Sequence, residues 1–212
     1  MDFDLRTVAL NFIVVFCSLA LHEWGHAVVA DRLGDDTPRR EGRVTLNPVV
    51  HIDPLGTILI PLLGALGFFG RLSMIGWAKP VYTNPANFKR GYFDQALVTL
   101  AGPGVNFLLA LSATVAAALT ARVAPFLGEL CGVVLQVNVG LMVFNLLPIP
   151  PLDGSKFLIY WFGMKEETYV RLTWIGGIAL IVLINFEPFN ANMGAFIMKV
   201  LRCFHILYQI LR

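Results

Sequence analysis

Two stretches of this chain, residues 95–121 and 130–152, contain no charged side chain at all. About 20 apolar residues cross the hydrocarbon of a bilayer as helix, and both runs exceed that length. Residues 7–21 and 172–186 are shorter uncharged runs, and 188–211 is apolar apart from Lys199, Arg202 and His205. Over 212 residues, 57% are hydrophobic and 14% charged, with a mean hydropathy of +0.69. An ordinary soluble domain is about 25% charged, and a soluble globule of this size has too little interior to hide so much apolar surface. Disorder, coiled coil, collagen and a disulfide scaffold fail on the same grounds. A net charge of +2 offers no basic excess for nucleic acid. Cys17, Cys131 and Cys203 are odd in number, far apart and in apolar surroundings, and read as packing residues. No basic region precedes the first apolar run, so a cleaved leader is not expected. The fold class is therefore an all-α polytopic membrane protein of about five to six transmembrane helices, placed near 6–30, 95–121, 129–147, 168–186 and 193–211.

Residues 54–70 are apolar but carry Pro54, Pro61 and four glycines. Charge decides how they are threaded, because short cytoplasmic loops collect Lys and Arg. If 54–81 enters the membrane and returns to the same side, then 31–94, 153–171 and the C-terminus share one face and hold twelve of the sixteen basic residues. The other face then keeps only Arg6 and Arg122, with Lys199 and Arg202 inside the last segment. A single crossing at 54–70 splits the basic residues almost evenly. The expected arrangement has the N-terminus outside and a re-entrant or double-crossing segment on the cytoplasmic side, with room for short β-strands.

His22-Glu23-Trp24-Gly25-His26 lies at the cytoplasmic end of the first expected helix. Histidines at i and i+4 share one helix face, at the spacing with which two imidazoles bind one Zn²⁺. Glu23, beside the first of them, is placed to take a proton from water activated at the metal. Ionisable groups at membrane depth are costly and usually functional. A catalytic zinc takes three protein ligands and keeps one position open. Asp153 is the best third candidate: it follows Pro148, Pro150 and Pro151, which cannot continue a regular helix, so the chain unwinds there and can turn the carboxylate inward. The same-side threading of 54–81 brings Asp153 to the face that holds both histidines; a single crossing does not. Within the second long span, Ala101-Gly102-Pro103-Gly104 allows close helix packing, and Asn106 needs a polar partner. An interhelical hydrogen bond and contact with substrate backbone are equally compatible with Asn106.

These segments, H-E-W-G-H, A-G-P-x-x-N and N-L-L-P-I-P-P-L-D-G, stand in an order that resembles the site-2 protease family of intramembrane zinc metalloproteases. G-R-V-T-L-N-P-V-V-H-I-D-P-L-G and G-W-A-K-P-V-Y-T-N-P are similar to its compact bacterial branch. The resemblance covers about residues 8–160 and implies one zinc ion held by His22, His26 and Asp153, with Glu23 as catalytic base. It also implies cleavage of single-span membrane proteins near the cytoplasmic face, with Asn106 and Asn145 near the site. It further implies a single integral-membrane peptidase domain over 1–212, with a catalytic core at about 6–160 and accessory helices at about 166–212. Nothing in the chain corresponds to a PDZ insert or a CBS-domain tail, so regulation through such domains is not expected.

Alternation at 43–47 suggests a strand edge within 41–52 that holds unwound substrate by β-augmentation. His51 either approaches the metal site or makes an interfacial hydrogen bond. A metal-binding transporter or channel using the same His and Asp residues is the alternative function; conduction, however, needs no general base, and Glu23 is present.

Overall fold

The computed structural model describes residues 5–60, 76–120 and 124–212. Its helices are α1 (Leu5–Arg32), α2 (Thr37–Arg40), α3 (Tyr92–Thr120), α4 (Pro125–Asn145), α5 (Phe157–Tyr160), α6 (Glu166–Asn185) and α7 (Glu187–Leu211). Short turns of tighter or wider helix cover Pro48–His51, Pro54–Leu59, Pro85–Asn87 and Asp153–Lys156. Among the described residues, α1, α3, α4, α6 and α7 are long and apolar enough to cross a membrane. Their outward faces carry exposed large apolar side chains, including Phe107, Leu108, Leu119, Trp174, Ile175, Ile178, Val182 and Ile210. In water such a surface would aggregate. This is a multi-pass, all-α membrane protein.

The observed helices follow the uncharged runs, with two informative shifts. α4 opens at Pro125 and α7 at Glu187 with Pro188 in its first turn, both earlier than the expected starts near 129 and 193. Proline is pre-organised for the first helical turn, where its missing N–H costs nothing. A single residue, Phe186, therefore separates α6 from α7. α3 runs through Pro103 without ending.

α3 is the central element, packed on α1, α4 and α7. Ala110 of α3, Val139 and Val143 of α4 and Phe204 of α7 form one apolar core, with Met193, Ile197 and Leu201 of α7 packed against it. Between α1 and α3 the approach is closer. A methyl group on Gly25 would stand 2.7 Å from Val105 Cγ2 and 3.0 Å from the Ala101 carbonyl oxygen. The small residues of the Ala101–Gly104 segment thus let two helices meet almost backbone to backbone.

The expected strand edge at 43–47 is absent: Val44, Thr45 and Leu46 form bends, and no strand occurs among the described residues. The buried Arg43 explains the difference. Its guanidinium donates to the carbonyls of Val50, Lys79 and Pro80, which folds the segment onto itself and onto the chain returning at 79–80. Asn47 then caps the turn at Pro48 by accepting from Val49 N–H. The middle of the expected re-entrant segment, 61–75, lies outside the described residues. Its two limbs are joined, however. Trp77 N–H donates to Gly56 O at 3.2 Å and Lys79 N–H to His51 O at 2.9 Å, while Thr57 Oγ1 donates to Trp77 O at 2.7 Å.

A buried carboxylate fastens the loop before α3 to the end of α1. Asp35 accepts from Thr37 Oγ1 (2.6 Å), Thr37 N (3.2 Å) and Asn87 Nδ2 (2.8 Å) on one oxygen and from Asn84 N (2.7 Å) on the other. Burial alone would raise its pKa, but these donors outweigh it and the pKa is lowered. This contribution is present above the ordinary carboxylate range and is lost as pH falls through the depressed value. Asp35→Ala orphans several buried donors and is expected to cost about 3 kcal/mol. Thermal unfolding in detergent measures this, and an unchanged midpoint refutes the fastening role.

Candidate metal centre

His22 and His26 lie one turn apart in the C-terminal half of α1, facing α3, and both are buried. His26 Nδ1 stands 2.7 Å from the Val98 carbonyl oxygen of α3. A carbonyl only accepts, so Nδ1 carries the proton and Nε2 keeps its lone pair. His22 Nδ1 lies 2.6 Å from Asn106 Oδ1 and donates to it, leaving Nε2 of this ring free as well. Metal-binding histidines are commonly oriented in this way, by an acceptor on the nitrogen remote from the metal.

Asp153 joins them from beyond α4. The chain leaves α4 at Asn145, passes Pro148, Pro150 and Pro151 and enters the turn Asp153–Lys156, where Asp153 is buried. Three contacts hold this turn. Ser155 Oγ donates to Leu152 O at 2.5 Å and lies 2.9 Å from Tyr169 Oη of α6, and Lys156 Nζ donates to Asp153 Oδ1 at 2.9 Å. Burial disfavours the Lys156 ammonium, but the adjacent carboxylate outweighs it and its pKa is raised.

His22 Nε2, His26 Nε2 and Asp153 Oδ2 are each 3.1 Å from the other two. Three acceptor atoms at this separation repel one another unless a cation sits among them. Neighbouring corners of a tetrahedral zinc site with bonds of about 2.0 Å are about 3.3 Å apart. Two imidazoles and a carboxylate are also the donor types zinc takes in catalytic sites. Gly102 keeps the space before them clear: a methyl group there would clash with His26 Nε2 and stand 2.6 Å from His22 Nε2. The residues fit a zinc ion.

Glu23, one residue after His22, accepts a hydrogen bond from Val81 N–H at 3.0 Å. The returning limb of the 54–81 segment therefore delivers a backbone donor to this carboxylate. A cavity of about 220 Å³ opens beside His26, lined by Val81, Thr83, Thr99, Lys156, Tyr160 and Tyr169 among others.

The remaining sequence candidates fall elsewhere. Asn106 is fully buried with both ends of its amide engaged, to His22 and to Asn138 Oδ1 (2.9 Å). Of its two readings, the geometry carries the interhelical hydrogen bond. Asn145 donates to Leu141 O of its own helix at 3.0 Å and does not join the donor group. His51 is buried, and its Nε2 donates to Thr45 O at 3.1 Å while Nδ1 has no partner among the described residues. Burial, aided by the Arg43 charge and opposed by the Thr45 carbonyl, lowers its pKa. Sequence reasoning passed over Ser18, Val81 and Asn138. Asn138 carried a visible signal, being a lone amide in the uncharged run 130–152.

A bundle of apolar helices that gathers an H-E-x-x-H pair and a distant aspartate defines a multi-pass membrane protein of the zinc metalloprotease class. Known proteins agree. The chain is 38% identical over 164 residues to "Putative zinc metalloprotease YwhC" of Bacillus subtilis, covering 74% of this chain and 70% of that protein. It is 36% identical over 174 residues to "Putative zinc metalloprotease Rip2" of Mycolicibacterium smegmatis, covering 81% and 64%. With Rip2 of Mycobacterium tuberculosis it shares 40% over 151 residues, covering 66% and 52%. The chain thus spans between about half and 70% of the length of these relatives. No protein-family profile and no solved structure matches it. The chain belongs to the site-2 protease family of zinc metalloproteases.

Proposed function

We propose that this protein hydrolyses peptide bonds within transmembrane segments of single-span membrane proteins, close to the cytoplasmic face. Such cleavage serves regulated intramembrane proteolysis or the clearance of signal-peptide remnants. The observation that carries the reading is the triangle of His22 Nε2, His26 Nε2 and Asp153 Oδ2, with the Glu23 carboxylate on the adjacent residue of the same helix. His22, His26 and Asp153 are the metal ligands. A zinc ion held by them would supply Lewis-acid polarisation of a scissile carbonyl and a lowered pKa for bound water. Glu23 is the general base: it takes the proton of the attacking water and passes it to the leaving amine. Val81 N–H keeps the Glu23 carboxylate in place, and Lys156 occupies the Asp153 oxygen that faces away from the histidines.

The N-terminus lies outside and the centre toward the cytoplasm, supported by the bias of basic residues. Segment 54–81 enters and leaves at that same face, supported by the hydrogen bonds that join its limbs at 51–57 and 77–79. Water reaches the centre from that side, because the hydrocarbon core supplies none. A substrate helix hides its amides in its own hydrogen bonds and must unwind before attack.

Purified in detergent and incubated with a model single-span substrate, the protein is expected to carry about one zinc per chain. Cleavage should stop on treatment with 1,10-phenanthroline and return when zinc is restored. Cleavage that persists after the metal is stripped overturns the proposal.

A further inference from the structure

The lone pair that His22 offers is set by a chain of amides crossing three helices. The relay begins at Val134 O of α4, a carbonyl that can only accept. Asn138 lies 2.9 Å from it through Nδ2, so that end of the side chain is the NH₂ group. The second proton of the same nitrogen goes to Ser18 Oγ of α1, also at 2.9 Å. Asn138 must therefore present Oδ1 to α3, where it accepts from Asn106 Nδ2 at 2.9 Å. Asn106 in turn must present Oδ1 to His22, which forces the imidazole proton onto Nδ1 and leaves Nε2 unprotonated beside Asp153. Ser18, Asn106 and Asn138 are all buried, with relative exposures of 3%, 0% and 0%, so each link is closed off from bulk solvent.

We propose that Asn138 is a positioning residue: by fixing the orientation of the Asn106 amide through Val134 O and Ser18 Oγ, it sets the His22 tautomer that binds the metal. Without the acceptor at 138, the Asn106 amide is free to rotate by half a turn. Its NH₂ then faces His22 Nδ1, the ring proton moves to Nε2, and the nitrogen that faces Asp153 loses its lone pair. The proposal rests on His22 being a metal ligand. It also explains why two asparagines persist in the apolar interior of α3 and α4, where an amide without a partner is expensive.

The test is zinc affinity of the detergent-purified protein, read by competition with a chromophoric chelator. Asn138→Leu is expected to weaken zinc binding about 10–100-fold, the range for loss of an outer partner of a metal-bound histidine. The second variant separates tautomer control from packing. In Asn106→Asp/Asn138→Leu, the carboxylate at 106 has no NH₂ to turn toward the ring and accepts from His22 Nδ1 in either orientation. Zinc affinity should return to within about tenfold of wild type, short of the full outer-partner loss. A packing defect at 138 would not be repaired by that change. Wild-type affinity in Asn138→Leu, or failure of the double variant to recover, overturns the proposal. Should Asn138→Leu not fold, Asn138→Asp carries the test, since it keeps the acceptor toward Asn106 and should retain zinc; loss of zinc there is the overturning result. His22→Ala is measured in parallel. If it binds zinc like wild type, the assignment of His22 as ligand falls; if it loses zinc while Asn138→Leu does not, only the relay falls.

Discussion

Replacing Glu23 by glutamine is expected to leave zinc bound and to lower cleavage about 10²–10⁴-fold, the share that a positioned acid–base group contributes. Size and shape are kept, and the glutamine oxygen still accepts from Val81 N–H, as the Glu23 carboxylate does at 3.0 Å. The returning limb at 77–81 therefore has no reason to move. The three donors that converge at 3.1 Å belong to His22, His26 and Asp153, so the metal keeps its ligands. What disappears is the capacity to accept the proton of the attacking water. Zinc content and cleavage are measured on the same preparation, because the two results answer different questions. Undiminished cleavage removes Glu23 from the mechanism, and loss of zinc with cleavage makes Glu23 a ligand instead of a base. A channel or transporter built on the same donors would show no cleavage in either form.

The parts of this molecule that were legible in the sequence are those where one residue type has few alternatives. Long uncharged runs can only be buried or lipid-facing helix, and five such helices are present. Two histidines four apart, with a carboxylate between them, have few other uses at membrane depth, and the prolines before Asp153 leave the chain no helical path. The strand edge at 43–47 failed because alternation over five residues is a weak local preference. Arg43, whose guanidinium binds three carbonyls, overrides it. The start of α7 was missed because hydropathy does not register Pro188 as a helix-opening residue. Val81 leaves no trace in sequence, since it acts through its backbone N–H. Ser18 is equally silent, because a serine in an apolar helix ordinarily bonds within its own turn. Asn106 was visible as a polar group in need of a partner; which partner depended on Asn138, one helix away.

The two glycines that flank Pro103 make the same point as a measurement. Both read as small residues for close helix packing, yet their surroundings differ completely. A methyl group on Gly104 meets nothing within 4 Å, whereas one on Gly102 strikes the nitrogens of both histidines. Gly102→Ala is therefore expected to weaken zinc binding by 100-fold or more, on the order of several kcal/mol of overpacking imposed on the ligands themselves. Cleavage is lost with it. Relief by moving α3 away from α1 would pull apart the close packing of Gly25 against Val105 and Ala101. Nor can the rings turn aside without breaking the bonds from Nδ1 to Asn106 and Val98. Gly104→Ala should bind zinc and cleave like wild type, and gain up to about 1 kcal/mol of stability from the better helix former. Zinc titration and thermal unfolding of the two variants, side by side, decide the matter. Equal behaviour of the pair would mean that Gly102 does not face the metal ligands and that the α1–α3 crossing is set differently.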